Sequence, residues 1–377
     1  MKFKRAALTT LISLLPLTSS ANLFPIGHEE ALMANVGTAL PASPGNPLFN
    51  PAGMAFFTTN RLNITVSGNA LEQHHFQLTG LDEDSQQSSI RPLLANSIFP
   101  VGTGYLSIYV TNPVAIKMLQ SRMDTVSGYN VHMRFSFDAD VIQGGLAYAN
   151  LINKNMGWGI SLGADYSTQE QNIYTYIGTS SAVTTEYRHE RKKYLQPTIT
   201  PGFLWEISDS YKLGLSGTLK LPTVFAEGLF YGAETDSSTP TTVDESFVIY
   251  NPRISPSYKL SIGQLLKIYN QEFLLDVSYG SRIDSKDKAG ASSSTSEYKD
   301  YGIAWRGSAF NKVKPLAGFA YTDQSTSESY LFTGGITIQD RANVFALGAY
   351  YQKNQPKVSN SSPYDGIGLM ASSNVIY

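Results

Sequence analysis

Few of the residues that could do chemistry in this 377-residue chain lie close together in sequence. The five histidines are His28, His74, His75, His132 and His189, and no spacing among them suits a metal. The adjacent pair His74-His75 would point to opposite faces of a strand. Cysteine is absent, which removes a thiol nucleophile and a thiolate ligand, and no G-x-S-x-G elbow marks a serine hydrolase. The expectation is therefore no cofactor, no metal and no enzymatic reaction. Charge remains. By alternation, Arg61, Arg134, Lys220, Arg253, Arg282 and Arg306 fall on the wet faces of candidate strands, with Asp165, Glu206, Asp276 and Asp300 on the same faces. If those faces enclose one lumen, a cation such as Arg134, Arg253 or Arg306 could hold a ligand carboxylate. The competing reading is an ordinary charged lining in which the acids pair with the bases. The run Arg188-His189-Glu190-Arg191-Lys192-Lys193 would meet lipopolysaccharide phosphates at a rim or be solvated.

The elements that must position these groups start with an export signal. Lys2, Lys4 and Arg5 precede an apolar stretch from Ala6 to Leu17, and Ser19-Ser20-Ala21 offers small residues for cleavage before Asn22. That is a secretory signal pattern over 1–21, too short in its apolar core to span a bilayer as a helix. Nothing later supplies the ~18 consecutive apolar residues of a transmembrane helix. Charged residues are only 15%, with 23 Tyr and 31 Gly, and mean hydropathy is −0.15. A barrel wall with one apolar and one polar face averages to such a value and collects aromatics at its interfaces. The formal net charge of −2 argues against a nucleic-acid partner.

Periodicity favours strands. In 211–221, Tyr211, Leu213, Leu215, Leu219 and Leu221 alternate with Lys212, Gly214, Ser216, Thr218 and Lys220, the mark of a strand with one apolar and one wet side. The pattern recurs at 273–282, 300–306, 330–339 and 345–351, although Leu331 breaks a polar face. Short turns near 100–103, 152–155, 208–210, 311–313 and 340–342 take turns with polar stretches near 72–87, 112–127, 178–190, 226–244, 285–296 and 355–364. Short periplasmic turns alternating with longer outer loops characterise outer-membrane barrels. In 128–151 the apolar phase switches across Asp138–Asp140, which reads as one long strand carrying a bulge. The count is then about fourteen antiparallel strands over 61–377 with both ends periplasmic. The terminal Tyr377 suits recognition by the barrel-assembly machinery.

The segment 22–60 does not alternate. Pro25, Pro41, Pro44, Pro47 and Pro51 exclude a central strand, yet Ile26, Leu32, Met33, Val36, Leu40, Met54 and Phe57 need burial. A lumen of about fourteen strands is wider than the roughly eight-strand barrel that side chains fill unaided, so this segment is expected to fold inside as a hatch. The stretch Val36-Gly37-Thr38-Ala39 and then Leu48-Phe49-Asn50-Pro51-Ala52-Gly53-Met54-Ala55 resembles the hatch of the FadL/TodX-type outer-membrane channels. A looser likeness covers Arg91–Pro113, and Pro41–Pro47 departs from the family pattern. The resemblance implies an all-β barrel in the outer membrane of a Gram-negative cell, plugged by its hatch. It implies passive uptake of long-chain fatty acids or other hydrophobic small molecules, which are captured by outer loops and released sideways through the wall. Asn50, Pro51 and Ala52 would belong to the gating hatch, unless Asn-Pro merely initiates a turn. Pro113 would interrupt the wall or simply open a loop. Expected partners are the hydrophobic ligand, outer-membrane lipids and lipopolysaccharide. A structural or secretion-accessory barrel whose hatch never moves is the alternative.

Overall fold

The structure is a computed structural model that describes residues 25–58, 61–65, 68–78, 81–90, 94–126, 129–178, 183–236, 243–286, 292–295, 297–340, 343–357 and 364–376. Residues 1–21, expected from sequence to be an export signal, and Tyr377 lie outside the described residues, and so does the side chain of Arg61.

Fourteen strands succeed one another around a single antiparallel sheet. They are β1 (Arg61–Thr65), β2 (Leu94–Val101), β3 (Gly104–Val126), β4 (Tyr129–Asn153), β5 (Met156–Gly178), β6 (Val183–Ser208) and β7 (Tyr211–Lys220). Next come β8 (Ser257–Ile268), β9 (Gln271–Gly280), β10 (Tyr298–Arg306), β11 (Val313–Gln324), β12 (Ser327–Asp340), β13 (Asn343–Pro356) and β14 (Tyr364–Ile376). Each pairs with the next, and the ring returns on itself where β1 meets β14 through Arg61↔Ile376 and Leu62↔Val375. Every strand edge in such a ring is paired, which is why a sheet can sit in hydrocarbon.

The polar stretches that read as long outer loops are mostly strand. Gly68–Leu78 and Leu81–Ile90 form a hairpin that joins β14 through His75↔Asp365 and Phe76↔Tyr364, and Phe225–Asp236 with Val243–Tyr250 extend the sheet beside β6. β4 runs for 25 residues and β6 for 26, whereas about 9–11 residues cross a bilayer. Pairing needs only backbone partners, so the ladder continues past the membrane where the apolar face gives out. That is the reason hydropathy misses it.

β4 is one long strand, as its sequence suggests, but the bulge lies elsewhere. Its register with β5 runs unbroken from Asn130↔Gly178 to Leu151↔Gly157. The irregularity is in β3, where Thr111 pairs with Gln143 and Val114 with Val141, leaving Asn112-Pro113 opposite a single residue. Pro113 has no N–H for the ladder, so a bulge there loses little. Odd-numbered residues of β4 therefore face inward along its length, with Phe137, Ala139, Ala147 and Ala149 buried and Ile142 and Leu146 exposed on the outer face.

Facing elsewhere follows the alternation. Leu215, Leu219, Ile262, Leu275, Ile303, Phe332 and Leu347 are exposed on the outer surface, where lipid would cover them. Ring pairs such as Tyr301–Tyr321, with centroids 6.2 Å apart, fit an interfacial aromatic girdle. Lys212 and Lys220 point into the barrel, onto Glu206 and Asp165. Leu215→Lys should then destabilise the barrel in bilayers by about 2–4 kcal/mol if the site lies near the midplane. Urea titration in lipid vesicles checks this, and a cost near zero would place Leu215 away from the hydrocarbon.

Inside the ring, Pro25–Thr58 forms the hatch: α1 (Glu29–Leu32), α2 (Asn46–Phe49) and a 3-10 helix, Pro51–Phe56. Leu32, Met33, Val36, Leu40 and Ala52 pack on Leu204, Leu265, Leu274, Leu316 and Leu331 of the wall. Leu331, out of place on a polar face, is thus one of the wall leucines under the hatch.

Candidate functional site: the seated hatch and the cavity above it

Nonperiodic backbone can be buried only if its polar groups find partners, and here short side chains provide them. Asn35 Oδ1 accepts from the Ile26 N–H at 2.7 Å, and Asn46 accepts from Ser43 N–H at 2.6 Å while donating to Leu40 O at 2.8 Å. Asn50 is fully buried and does the most. Its Oδ1 accepts from Ala52 N–H at 3.2 Å, capping the 3-10 helix, and its Nδ2 donates to Thr38 O at 2.7 Å and to Phe203 O at 3.0 Å. One side chain thereby ties two turns of the hatch to each other and to β6. Pro51 opens the 3-10 helix, where its missing N–H leaves nothing unpaired. Asn-Pro does initiate a turn, and the same asparagine fastens that turn to the wall.

The wall leaves room for this backbone. A Cβ at Gly214 would overlap the Thr38 carbonyl, one at Gly202 would overlap Asn50 Oδ1, and one at Gly159 would crowd the backbone of Pro51 and Ala52. Charged groups complete the seat. Asp276 of β9 accepts from the N–H groups of Gly37 and Thr38, both at 2.9 Å. Glu30, buried in the hatch, accepts from the Ser43 hydroxyl and from the N–H groups of Gly45 at 3.1 Å and His28 at 3.2 Å. Burial pushes its carboxyl above the usual range. Glu29 meets Arg306 Nη1 at 2.6 Å, and Arg306 also holds Glu272 of β9.

Burial alone would raise the Glu29 carboxyl, but Arg306, with Lys314 and His28, more than offsets it and brings the value to about 2. A carboxylate depressed in the folded state stabilises that state above its ordinary range, and the contribution fades as pH falls through the folded value. The Glu29 anchor should thus be intact at neutral pH and weaken from about 4.5 down to about 2. Thermal midpoints of wild type and Glu29→Gln across that range test this. Their difference should shrink toward pH 2, and a constant difference would show that the ion pair contributes nothing.

Above the hatch lies a cavity of about 260 Å³, just under the ~300–1,000 Å³ common for small-molecule sites. One side is apolar: Val36, Pro47, Leu48 and Phe49 of the hatch, with Pro113, Ala139 and Val141 of β3 and β4. The other, from β5 to β11, carries Asp165, Tyr194, Lys220, Lys259, Tyr298 and Asp300 among serines, threonines and glutamines. Lys220 Nζ is 2.6 Å from Asp165, and Lys259 Nζ is 2.8 Å from Asp300.

Of the three candidate lumen cations, Arg306 faces inward but is occupied by Glu29 and Glu272. Arg134 shares the even parity of Ile142 and Leu146 and is exposed on the outward face of β4, because the bulge that would have turned it inward lies in β3. Arg253 is exposed on a short outer strand, Arg253–Ile254, paired with Ile283–Lys286. Neither lines the cavity. The basic run of β6 lies in a strand, where Arg188 meets Glu186, Arg191 meets Glu227 at 3.5 Å and Lys192 meets Glu190 at 3.4 Å. The alternation of 257–268 could have flagged Lys259, while the acids of the hatch carry no periodic signal.

No protein-family model matches the chain, and no curated protein matches its sequence. Solved structures do match its shape. A FadL homologue of Pseudomonas aeruginosa superposes with TM-score 0.68 at 11% identity, covering 93% of this chain and 98% of that one. The toluene transporter TodX of Pseudomonas putida gives 0.66 at 9% identity, covering 94% and 99%. The toluene transporter TbuX of Ralstonia pickettii gives 0.64 at 11% identity, covering 94% and 100%. Fourteen paired strands, a hatch seated in their lumen and near-complete overlap with these structures lead to one conclusion: this chain has the fold of the FadL/TodX-type outer-membrane channels.

Proposed function

We propose that the chain is an outer-membrane channel for passive uptake of hydrophobic small molecules, with long-chain fatty acids among the candidates. The observation that carries this reading is the cavity between hatch and wall, whose apolar side adjoins the bulge at Asn112-Pro113. The ladder skips one residue at that point, and if the wall parts there a hydrophobic molecule would pass sideways into lipid without crossing the plugged lumen. In this reading Asn50, Pro51 and Ala52 gate the path from the hatch side. Residues 1–21 direct export, 22–60 form the hatch, 61–377 the wall, and the assembly machinery inserts it. Lipopolysaccharide would surround the extended strands.

The number of bonds holding the hatch favours the alternative, a barrel of structural role whose hatch never moves. Uptake decides between them. Cells expressing the protein should accumulate a panel of labelled hydrophobic compounds faster than cells with an empty vector. Equal rates across the panel would leave the structural reading standing.

A further inference from the structure

Resting on the channel reading, we propose that the cavity selects hydrophobic molecules that carry a hydroxyl, a phenol or an alcohol, over carboxylates and plain hydrocarbons. The first argument is charge. Lys220 and Lys259 each sit on a carboxylate, at 2.6 and 2.8 Å, and Asp276 adds a third acid to the lining. An incoming carboxylate would meet two lysines already paired with aspartates and one further acid, in a space where charges interact more strongly than in water. It could gain a lysine only by displacing that lysine's aspartate, and a carboxylate buried without its cation is costly.

The second argument is hydrogen-bond valence. Asp165 is 5% exposed; one of its oxygens binds Lys220, and the other has no partner among the described residues. Elsewhere in the same lining the hydroxyls satisfy one another in pairs, as in Ser261 with Ser278 at 2.8 Å and Thr200 with Thr218 at 3.1 Å. Each such pair uses one of its two protons and leaves one donor together with further acceptor capacity, which a group that both donates and accepts can use in full. A carboxylate only accepts, whereas a hydroxyl donates and accepts. A hydrocarbon would strip water from this wall and return no bonds. An ammonium would answer the acids but face two lysines.

The third argument is polarity of placement. The wall from β5 to β11 is polar, and Leu48, Phe49, Ala139 and Val141 opposite are not. A molecule with one hydroxyl at the end of an apolar body matches both sides at once, its body toward the bulge in β3.

The test uses the whole barrel in lipid nanodiscs and four probes of one body: 4-ethylphenol, ethylbenzene, 4-ethylbenzoate and 4-ethylbenzylamine. Equilibrium dialysis against empty nanodiscs corrects for partitioning into lipid. The expected result is 4-ethylphenol tightest, by five-fold or more over each of the others. Any smaller margin overturns the selectivity, as does a tighter benzoate or benzylamine. Ethylbenzene binding as well as the phenol would leave the channel reading intact and remove only the hydroxyl preference. Failure of all four to bind above empty nanodiscs removes both. In Asp165→Asn, Lys220 loses its anion, so benzoate should gain at least five-fold and the phenol should weaken. Should that variant not fold, the ranking on wild type decides alone.

Discussion

Gly214→Val is expected to unseat the hatch and convert a plugged barrel into one that leaks ions. Gly214 lies on the inner face of β7, and even the first carbon of a side chain there would overlap the Thr38 carbonyl. That neighbour is backbone, held in turn by Asn50 Nδ2 at 2.7 Å, so it cannot swing aside as a side-chain tip could. Overpacking of this kind costs about 1–3 kcal/mol. The wall keeps its ladder, so the cost falls on the hatch. Planar-bilayer recordings should show open-pore steps in the variant and none in wild type. Gly217→Val is the control, because it lies on the outer face, where the added carbon meets the end of the flexible Leu260 side chain at 3.2 Å. A Gly214→Val barrel as tight as wild type would mean that hatch and wall shift together to admit the side chain.

Asn50→Ala should weaken the hatch by about 3 kcal/mol, since it leaves a buried N–H and two buried carbonyls short of a partner at roughly 1 kcal/mol or more each. The groups are Ala52 N–H, Thr38 O and Phe203 O. Asn50→Asp should do worse than alanine, for it keeps one acceptor, loses both donors and buries a charge. Hydrogen exchange of amides in Pro51–Phe56 reads the effect directly, with the strand amides of β5 and β8 as internal reference. Protection in the hatch should fall while protection in those strands stays. If both fell together, hatch and wall would be one cooperative unit and no gate could work by moving the hatch alone.

The wall was legible in the sequence because a membrane strand must show lipid one face and the lumen the other, and the alternation of 211–220 states that without help from distant residues. The hatch was legible by subtraction: proline-rich, apolar and placed before a lumen too wide to fill. Three things were not. The extended strands above the membrane keep their ladder but have no lipid to impose an apolar face, so they read as loops. The apolar phase switch places the bulge in β4, whereas only the register locates it at Asn112-Pro113 of β3. With it went the facing of Arg134. The Tyr269-Asn270 turn carries no sequence signal, since a bulky aromatic is unexpected at φ 56°. Leu331 is the clue that alternation leaves unexplained. An apolar residue on a polar face marks where the hatch presses on the wall, and Leu204, Leu274 and Leu316 do the same.

The seam between β1 and β14 bears on how the barrel comes to exist. It joins the two ends of the wall through Arg61↔Ile376 and Leu62↔Val375, the pairings most distant in sequence that the ring contains. Contacts of such separation form late, because the chain between them must first be ordered. The hatch precedes β1, yet it packs against β7 through Thr38 and against β11 through Met33. A sheet still open along that seam lets the hatch settle sideways onto its curved inner surface, whereas a finished cylinder admits it only end-on through the lumen. The hatch stands ahead of the wall in the chain and touches strands from its middle, so it can serve as the former around which an open sheet closes until β14 meets β1.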